Sequence, residues 1–275
     1  MRPAPGRELP FTYRAVVALL RPPLSLLTDR HWRGAENLPT TGGFIAVSNH
    51  VTNLDPLTFA HFLVDNDIPV KFLAKSELFQ VPVIGWLARR VKHIPVHRGS
   101  AKAAESLDAA REALQAGECV AIFPEGTLTH DPDMWPMLGK TGVARLALTT
   151  RVPVVPIAQW GAHRVIPRFE SLPTTVRRQR VDVLALPPVD LDDLYGRPLD
   201  GTVLREATDR IMRRLTDGVS ELRGEAPPER VWDRRVHGDG KAYDVERKAA
   251  ARAERPEGTL ARLRHSWTEL TRRKP

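Results

Sequence analysis

The chain has 275 residues, 42% of them hydrophobic and 27% charged, and 41 Lys and Arg against 33 Asp and Glu give a formal net charge of +8. This apolar fraction excludes a mainly disordered chain. A single cysteine, Cys119, excludes a disulfide scaffold and suits a reducing compartment. The cationic surplus points to an anionic partner: nucleic acid, a membrane surface or a phosphorylated substrate.

Residues 1–41 are rich in Pro and Arg, and form an N-terminal amphipathic, membrane-proximal segment. Phe11, Tyr13, Val16, Val17, Leu20, Leu24 and Leu27 recur at helical spacing, with a break expected at Pro22-Pro23. The segment reads either as a helix pair packed on the core or as an interfacial amphipathic stretch flanked by Arg. Its best apolar run, residues 15–20, is closed by Arg14, Arg21 and the two prolines. That is far short of the roughly 20 apolar residues a spanning helix needs, and no signal-peptide cleavage site follows. The expectation is a soluble or peripheral protein of the cytoplasm.

Residues 42–223 alternate between two periods. Short apolar runs at 44–48, 70–74, 93–96, 119–123, 152–158 and 181–186 predict buried strands. Helical patterns lie between them at 56–64, 83–90, 101–116 and 142–150, and a stripe of Val203, Ala207, Ile211, Leu215 and Leu222 predicts a long helix over 202–223. The alternation predicts one α/β domain with a mostly parallel central sheet flanked by helices. Residues 224–275 form a charged C-terminal extension. From 225 on it carries thirteen cations and nine anions, about half of the surplus. Within it Leu260, Leu263, Trp267 and Leu270 share one helical face, which either docks on the domain or lies on an anionic membrane. There are no internal repeats.

Sites in such sheets form at the carboxyl ends of strands. The first predicted strand runs into Ser48-Asn49-His50, and Asp55-Pro56 opens the next helix. Asp55 reads as a plain N-cap before a favourable first-turn proline, or as the partner of His50 in a dyad. In the second case the carboxylate fixes one ring nitrogen and leaves the other as a base near neutral pH. A later strand ends in Phe123-Pro124-Glu125-Gly126-Thr127, a turn that is either ordinary surface or a set of polar groups facing the same crevice. Gly126 permits positive φ or a close backbone approach.

Together these elements carry more than either does alone. Asn49-His50 with Asp55, followed by FPEGT at 123–127, resembles the glycerolipid acyltransferase family, in particular the bacterial PlsC-like 1-acylglycerol-3-phosphate acyltransferases. The lead-in Gly34-Ala35-Glu36-Asn37-Leu38-Pro39, the block Lys75-Ser76-Glu77-Leu78 with Gly85-Trp86 and Ile94 to Gly99, the pair Lys140 and Gly142, and the block from Val152 to Ile157 follow in family order. The resemblance implies an enzyme moving a fatty acyl group from acyl-CoA or acyl carrier protein to the sn-2 hydroxyl of 1-acylglycerol-3-phosphate, giving phosphatidic acid. It implies His50 as general base, Asp55 as its orienting partner, Arg98 on the acceptor phosphate, and Glu125, Gly126 and Thr127 positioning the acceptor, with Lys75 and Lys140 as further substrate-binding cations. It implies no cofactor and no metal; the acyl donor, lysophosphatidic acid and the inner face of the cell membrane are the expected partners. Two positions depart from the family pattern. Leu128 stands where Arg usually follows FPEGT, and Lys92 where glycine is common. Leu128 motivates an alternative, acylation of another lysophospholipid or a glycolipid. The amphipathic segments motivate another, a catalytically silent lipid-binding protein at the membrane surface.

The residues themselves fit such chemistry. A thioester is already activated, so transfer to a hydroxyl needs a base, an oxyanion stabiliser and alignment. No Ser or Cys sits in a nucleophile elbow, and Cys119 falls inside a predicted strand, so direct attack by the acceptor hydroxyl is favoured. Gly139-Lys140-Thr141 lacks the earlier glycine and the strand–helix setting of a P-loop. His93 and His97 on one strand lie too far apart to share a metal. Arg177-Arg178-Gln179-Arg180 reads as a solvated loop, or as a contact for headgroups or donor phosphates. No nucleic-acid recognition motif is present.

Overall fold

The computed structural model describes residues 10–96 and 103–240. Seven strands form one sheet: β1 (Thr28–Arg33), β2 (Phe44–Val47), β3 (Val70–Lys75), β4 (Ile94–Val96), β5 (Cys119–Ile122), β6 (Val154–Trp160) and β7 (Gln179–Ala185). Their order is β1-β7-β6-β2-β5-β3-β4. All neighbours pair in parallel except β6 and β7. The expected mostly parallel α/β sheet is therefore present.

The central strands are buried on both faces, which is why they read as unbroken apolar runs. Their side chains alternate between two layers. Ile45, Val47, Val120 and Ile122 face a core built with α4 (Ala103–Gln115), α5 (Gly142–Thr150) and α6 (Gly201–Arg223). Phe44, Ala46, Cys119 and Ala121 face the opposite core, with Phe59, Phe62 and Leu63 of α2 (Asp55–Asp65). Helix α3 (Pro82–Arg90) connects β3 to β4 behind a short 3-10 turn at Ser76–Gln80. The Asp200 carboxylate accepts from the Val203 N–H at 2.9 Å to cap α6, and Gly224 ends it in the left-handed conformation.

Two expectations about the N-terminal segment change. Helix α1 (Phe11–Leu27) runs through Pro22-Pro23 without a break. The prolines remove two backbone donors, and docking offsets the loss. Tyr13 and Leu24 are buried, the Val70 N–H donates to the Tyr13 hydroxyl at 3.1 Å, and Arg21 pairs with Asp65 at 2.6 Å. Residues 28–33 form a strand that the apolar pattern does not announce. β1 is an edge strand of sequence TDRHWR, too polar to stand out, and it pairs in parallel with β7. The cationic run before β7 is not a free loop either. The Arg178 guanidinium donates to the Thr28 carbonyl at 3.0 Å and pairs with Asp29, while Gln179 and Arg180 belong to β7. The amphipathic stretch at 259–270 lies outside the described residues. No helix among the described residues is long and apolar enough to cross a membrane.

Lys92 has φ +55°, in the left-handed region between α3 and β4. A glycine adopts that conformation without strain, which accounts physically for the family's usual residue there.

Candidate active site

The carboxyl ends of β2 and β5, adjacent and parallel, place His50 and Glu125 on one edge of the sheet. Leu54, not Asp55, is the N-cap residue of α2. Asp55 is the first helical residue, and its carboxylate turns back on the loop before it. Its Oδ2 accepts from the Val51 N–H at 2.5 Å, from the Thr52 N–H at 2.7 Å, and lies 3.1 Å from His50 Nδ1. The plain capping reading is thereby overturned. Oδ2 is thus an acceptor for two backbone donors, and the Nδ1–H tautomer of His50 would make it a third, leaving Nε2 without a proton. The Asp55 side chain is 3% exposed and that of His50 is 16%.

The imidazole stacks on Phe123 with centroids 4.1 Å apart and planes inclined by 21°. The His50 backbone is held at both ends by the β5 loop. Its N–H donates to Glu125 Oε1 at 3.0 Å, and its carbonyl accepts from the Thr129 N–H at 2.6 Å. Glu125 Oε2 accepts from the Met137 N–H at 3.0 Å. Both oxygens of this buried carboxyl are committed to backbone. The geometry therefore makes Glu125 a support for the His50 backbone. Burial pushes its pKa up to about 8, against the two backbone donors that stabilise the anion.

Gly126 follows at φ +71°. A Cβ there would lie 2.9 Å from Lys140 Nζ, so glycine leaves the space the ammonium group occupies. The Lys140 N–H donates to the Pro124 carbonyl at 3.0 Å, which brings the lysine back to the turn. Gly126, Thr127 and Leu128 are half-buried on its rim. Lys75 is exposed at the end of β3, in register with Val96, the last described residue before Arg98. Arg98 and His97 lie outside the described residues. His93 is half-buried before β4, where its Nδ1 accepts from the Phe72 N–H at 3.2 Å and desolvation pushes its pKa down to about 4. Among the described residues no cluster of three His, Cys, Asp or Glu has metal-ligating geometry. Cys119 is buried within β5.

Sequence reasoning missed the layer that fixes this edge. The Asn49 side chain continues the β2–β6 ladder, donating to the Gln159 carbonyl at 3.0 Å and accepting from the Gln159 N–H at 2.9 Å. The Gln159 side chain bonds Ser48 Oγ at 3.0 Å and Thr58 Oγ1 at 2.6 Å. The signal available was polarity at the end of an apolar strand, Gln159 after Val154–Ala158. The loop after FPEGT is also held from afar. Arg168 donates to the carbonyls of Thr129 and Asp131. Arg223 lies between the rings of Trp135 and Trp160, at 4.1 and 4.5 Å, and donates to the Asp133 carbonyl at 2.7 Å. The Leu138 N–H donates to the Trp232 carbonyl at 3.0 Å, and His130 pairs with Asp239 at 2.6 Å.

A family model described as Acyltransferase matches residues 29–160, the stretch that carries this edge. The chain is 34% identical over 137 residues to the chloroplastic 1-acyl-sn-glycerol-3-phosphate acyltransferase BAT2 of Brassica napus, covering 49% of this chain and 38% of that protein. It is 33% identical over 165 residues to 1-acyl-sn-glycerol-3-phosphate acyltransferase alpha of Mus musculus, covering 59% and 55%. The chain thus spans about half or less of the length of these curated relatives. Its structure is similar to the crystal structure of the 1-acyl-sn-glycerophosphate (LPA) acyltransferase PlsC from Thermotoga maritima, with a TM-score of 0.56 and 26% identity over 78% of this chain and 84% of that one. The dyad, the FPEGT turn and the central strands β2 and β5 all lie inside the region that the Acyltransferase family model matches, and the fold is similar to that of PlsC.

Proposed function

We propose that the protein is an O-acyltransferase that moves a fatty acyl group from the thioester of CoA or acyl carrier protein to the sn-2 hydroxyl of 1-acylglycerol-3-phosphate. The observation that supports this reading is the contact of His50 Nδ1 with Asp55 Oδ2 at the carboxyl edge of the sheet, and in this reading Nε2 serves as the base. The acceptor hydroxyl attacks the thioester carbonyl and passes its proton to Nε2. Asp55 balances the imidazolium that forms. The tetrahedral oxyanion collapses, the C–S bond breaks, and the leaving thiolate takes the proton from His50. The products are phosphatidic acid and the free thiol of the carrier. Glu125 holds His50 by its backbone, Gly126 and Thr127 line the acceptor's approach, and Lys140, Lys75 and Arg98 supply cations for phosphate. The step needs no cofactor, because the thioester is itself the activated group.

Leu128 supports a second reading, in which the acceptor is another lysophospholipid or a glycolipid, since one usual guanidinium is missing beside the turn. In either case the substrate is a lipid, and the +8 surplus suits peripheral attachment to the anionic inner face of the cell membrane. A crossed panel of acyl-CoA and acyl carrier protein donors with lysophospholipid acceptors tests the reading. Thiol release restricted to lysophosphatidic acid and abolished in His50→Ala is the expected result. Release unchanged in a folded His50→Ala protein rejects the dyad. No release with any pair rejects the enzyme and favours a silent lipid-binding protein.

A further inference from the structure

Helix α3 is amphipathic in the inverted sense. Its buried residues are Gly85 and Ala88, while Val83 is 69% exposed, Ile84 49% and Trp86 51%. Leu78 and Val81, just before it, are also exposed. A surface helix ordinarily turns its large apolar side chains inward. Here the close fit of α3 to its neighbour is made by a glycine, since a Cβ at Gly85 would lie 2.1 Å from the Phe79 carbonyl oxygen. The large apolar side chains are what is left outside. Five such residues within nine positions form a patch of the kind that marks an interaction surface.

Its charge selects the partner. Between residues 75 and 92 there are four cations, Lys75, Arg89, Arg90 and Lys92, and one anion, Glu77. The Arg90 guanidinium lies 5.3 Å from the Trp86 ring centroid, pairing a cation with an amphipathic ring. Apolar side chains with an aromatic residue, rimmed by cations, match the acyl–headgroup boundary of an anionic bilayer. Position agrees with this choice. The connection from β3 to α3 leaves the same carboxyl edge of the sheet as the His50 and Glu125 loops, because β2, β5 and β3 are parallel neighbours.

We propose that the outward face of the 78–90 segment is a bilayer-docking surface, in which Val83, Ile84 and Trp86 enter the lipid interface and Arg90 meets anionic headgroups. Docked this way, the protein presents the active-site edge to the lipid surface. The inference rests on the lipid-acyltransferase reading and makes it more specific.

The test uses the full chain with Val83→Ser/Trp86→Ser, and separately Arg90→Glu. Binding is measured by co-sedimentation with phosphatidylglycerol/phosphatidylcholine vesicles and with phosphatidylcholine alone. Turnover is measured with a monomeric, short-chain 1-acylglycerol-3-phosphate. Removing two interfacial side chains is expected to weaken vesicle partition by at least about tenfold. Arg90→Glu is expected to weaken binding only where phosphatidylglycerol is present. Turnover of the monomeric acceptor is expected to stay within about twofold, since interfacial anchoring acts on the surface and not on the chemistry. Vesicle binding unchanged in the double variant overturns the surface, even if turnover is normal. So does a wild-type dimer that the double variant converts to monomer without altered vesicle binding, because a second copy then covers the patch. Binding that depends on Trp86 in a protein with no turnover keeps the surface and removes the proposed reaction.

Discussion

Helices α2 and α3 make the same kind of connection, each joining one strand of the sheet to a later one that runs parallel to it. They do so with opposite burial. α2 places Phe59, Phe62 and Leu63 fully inside, whereas α3 buries only a glycine and an alanine and leaves Val, Ile and Trp outside. The apolar residues of α2 are explained by the core. They also fix the first turn, where Asp55 meets His50. Those of α3 contribute almost nothing to the core, so their reason lies outside the fold.

This contrast can be broken at several points. The largest effect belongs to the N-terminal turn of α2. His50→Ala removes the base and is expected to lower turnover by roughly two to four orders of magnitude, with a folded protein by circular dichroism. Asp55→Asn leaves an amide facing two backbone donors and Nδ1, and lowers turnover nearly as far. Next comes the body of α2, where Phe59→Ala opens a cavity among Phe72 and Phe123 and is expected to cost about 3–5 kcal/mol in urea unfolding. Glu125 gives a smaller, pH-dependent effect. Its folded pKa of about 8 lies above its ordinary 4.5. The folded state therefore keeps a proton that the unfolded chain releases. The associated stability is complete below the ordinary value and is lost as pH rises towards 8. Glu125→Gln should flatten the fall in urea midpoint between about pH 5 and 8, while lowering turnover because one backbone donor loses its acceptor. The smallest effect belongs to α3: Val83→Ser/Trp86→Ser should shift unfolding by no more than about 0.5 kcal/mol per site. A large loss there would mean that the patch is core after all.

The strands and helices between residues 42 and 223 were legible because two-sided burial writes itself as apolar runs and one-sided burial as a helical stripe. β1 was hidden because an edge strand shares less of the core, and α1 because two prolines look like a stop until its docking partners are known. His50, Asp55 and the FPEGT turn were visible as polar residues at strand ends. The bonds that support them were not. Nothing in the spacing says that Asp55 turns back on Val51 and Thr52, or that both Glu125 oxygens are taken by backbone. Many such bonds join residues tens of positions apart, as Asn49 and Gln159 do, and a linear pattern carries no record of them. The inverted face of α3 was hidden for a related reason: periodicity marks an apolar face without saying which way it turns.

The loop at 129–138 has a consequence for the order in which the protein becomes competent during synthesis. Its backbone supports Glu125 and His50, yet its own partners arrive late: Arg168, then Arg223, then the carbonyl of Trp232 and the carboxylate of Asp239. At a synthesis rate of about 5–20 residues per second, some five to twenty seconds separate Leu138 from Trp232 on the ribosome. The sheet's central strands and the dyad are made well before the last brace of the loop. A nascent chain therefore carries His50 and Asp55 before it carries Trp232 and Asp239, the last of the loop's partners to be made.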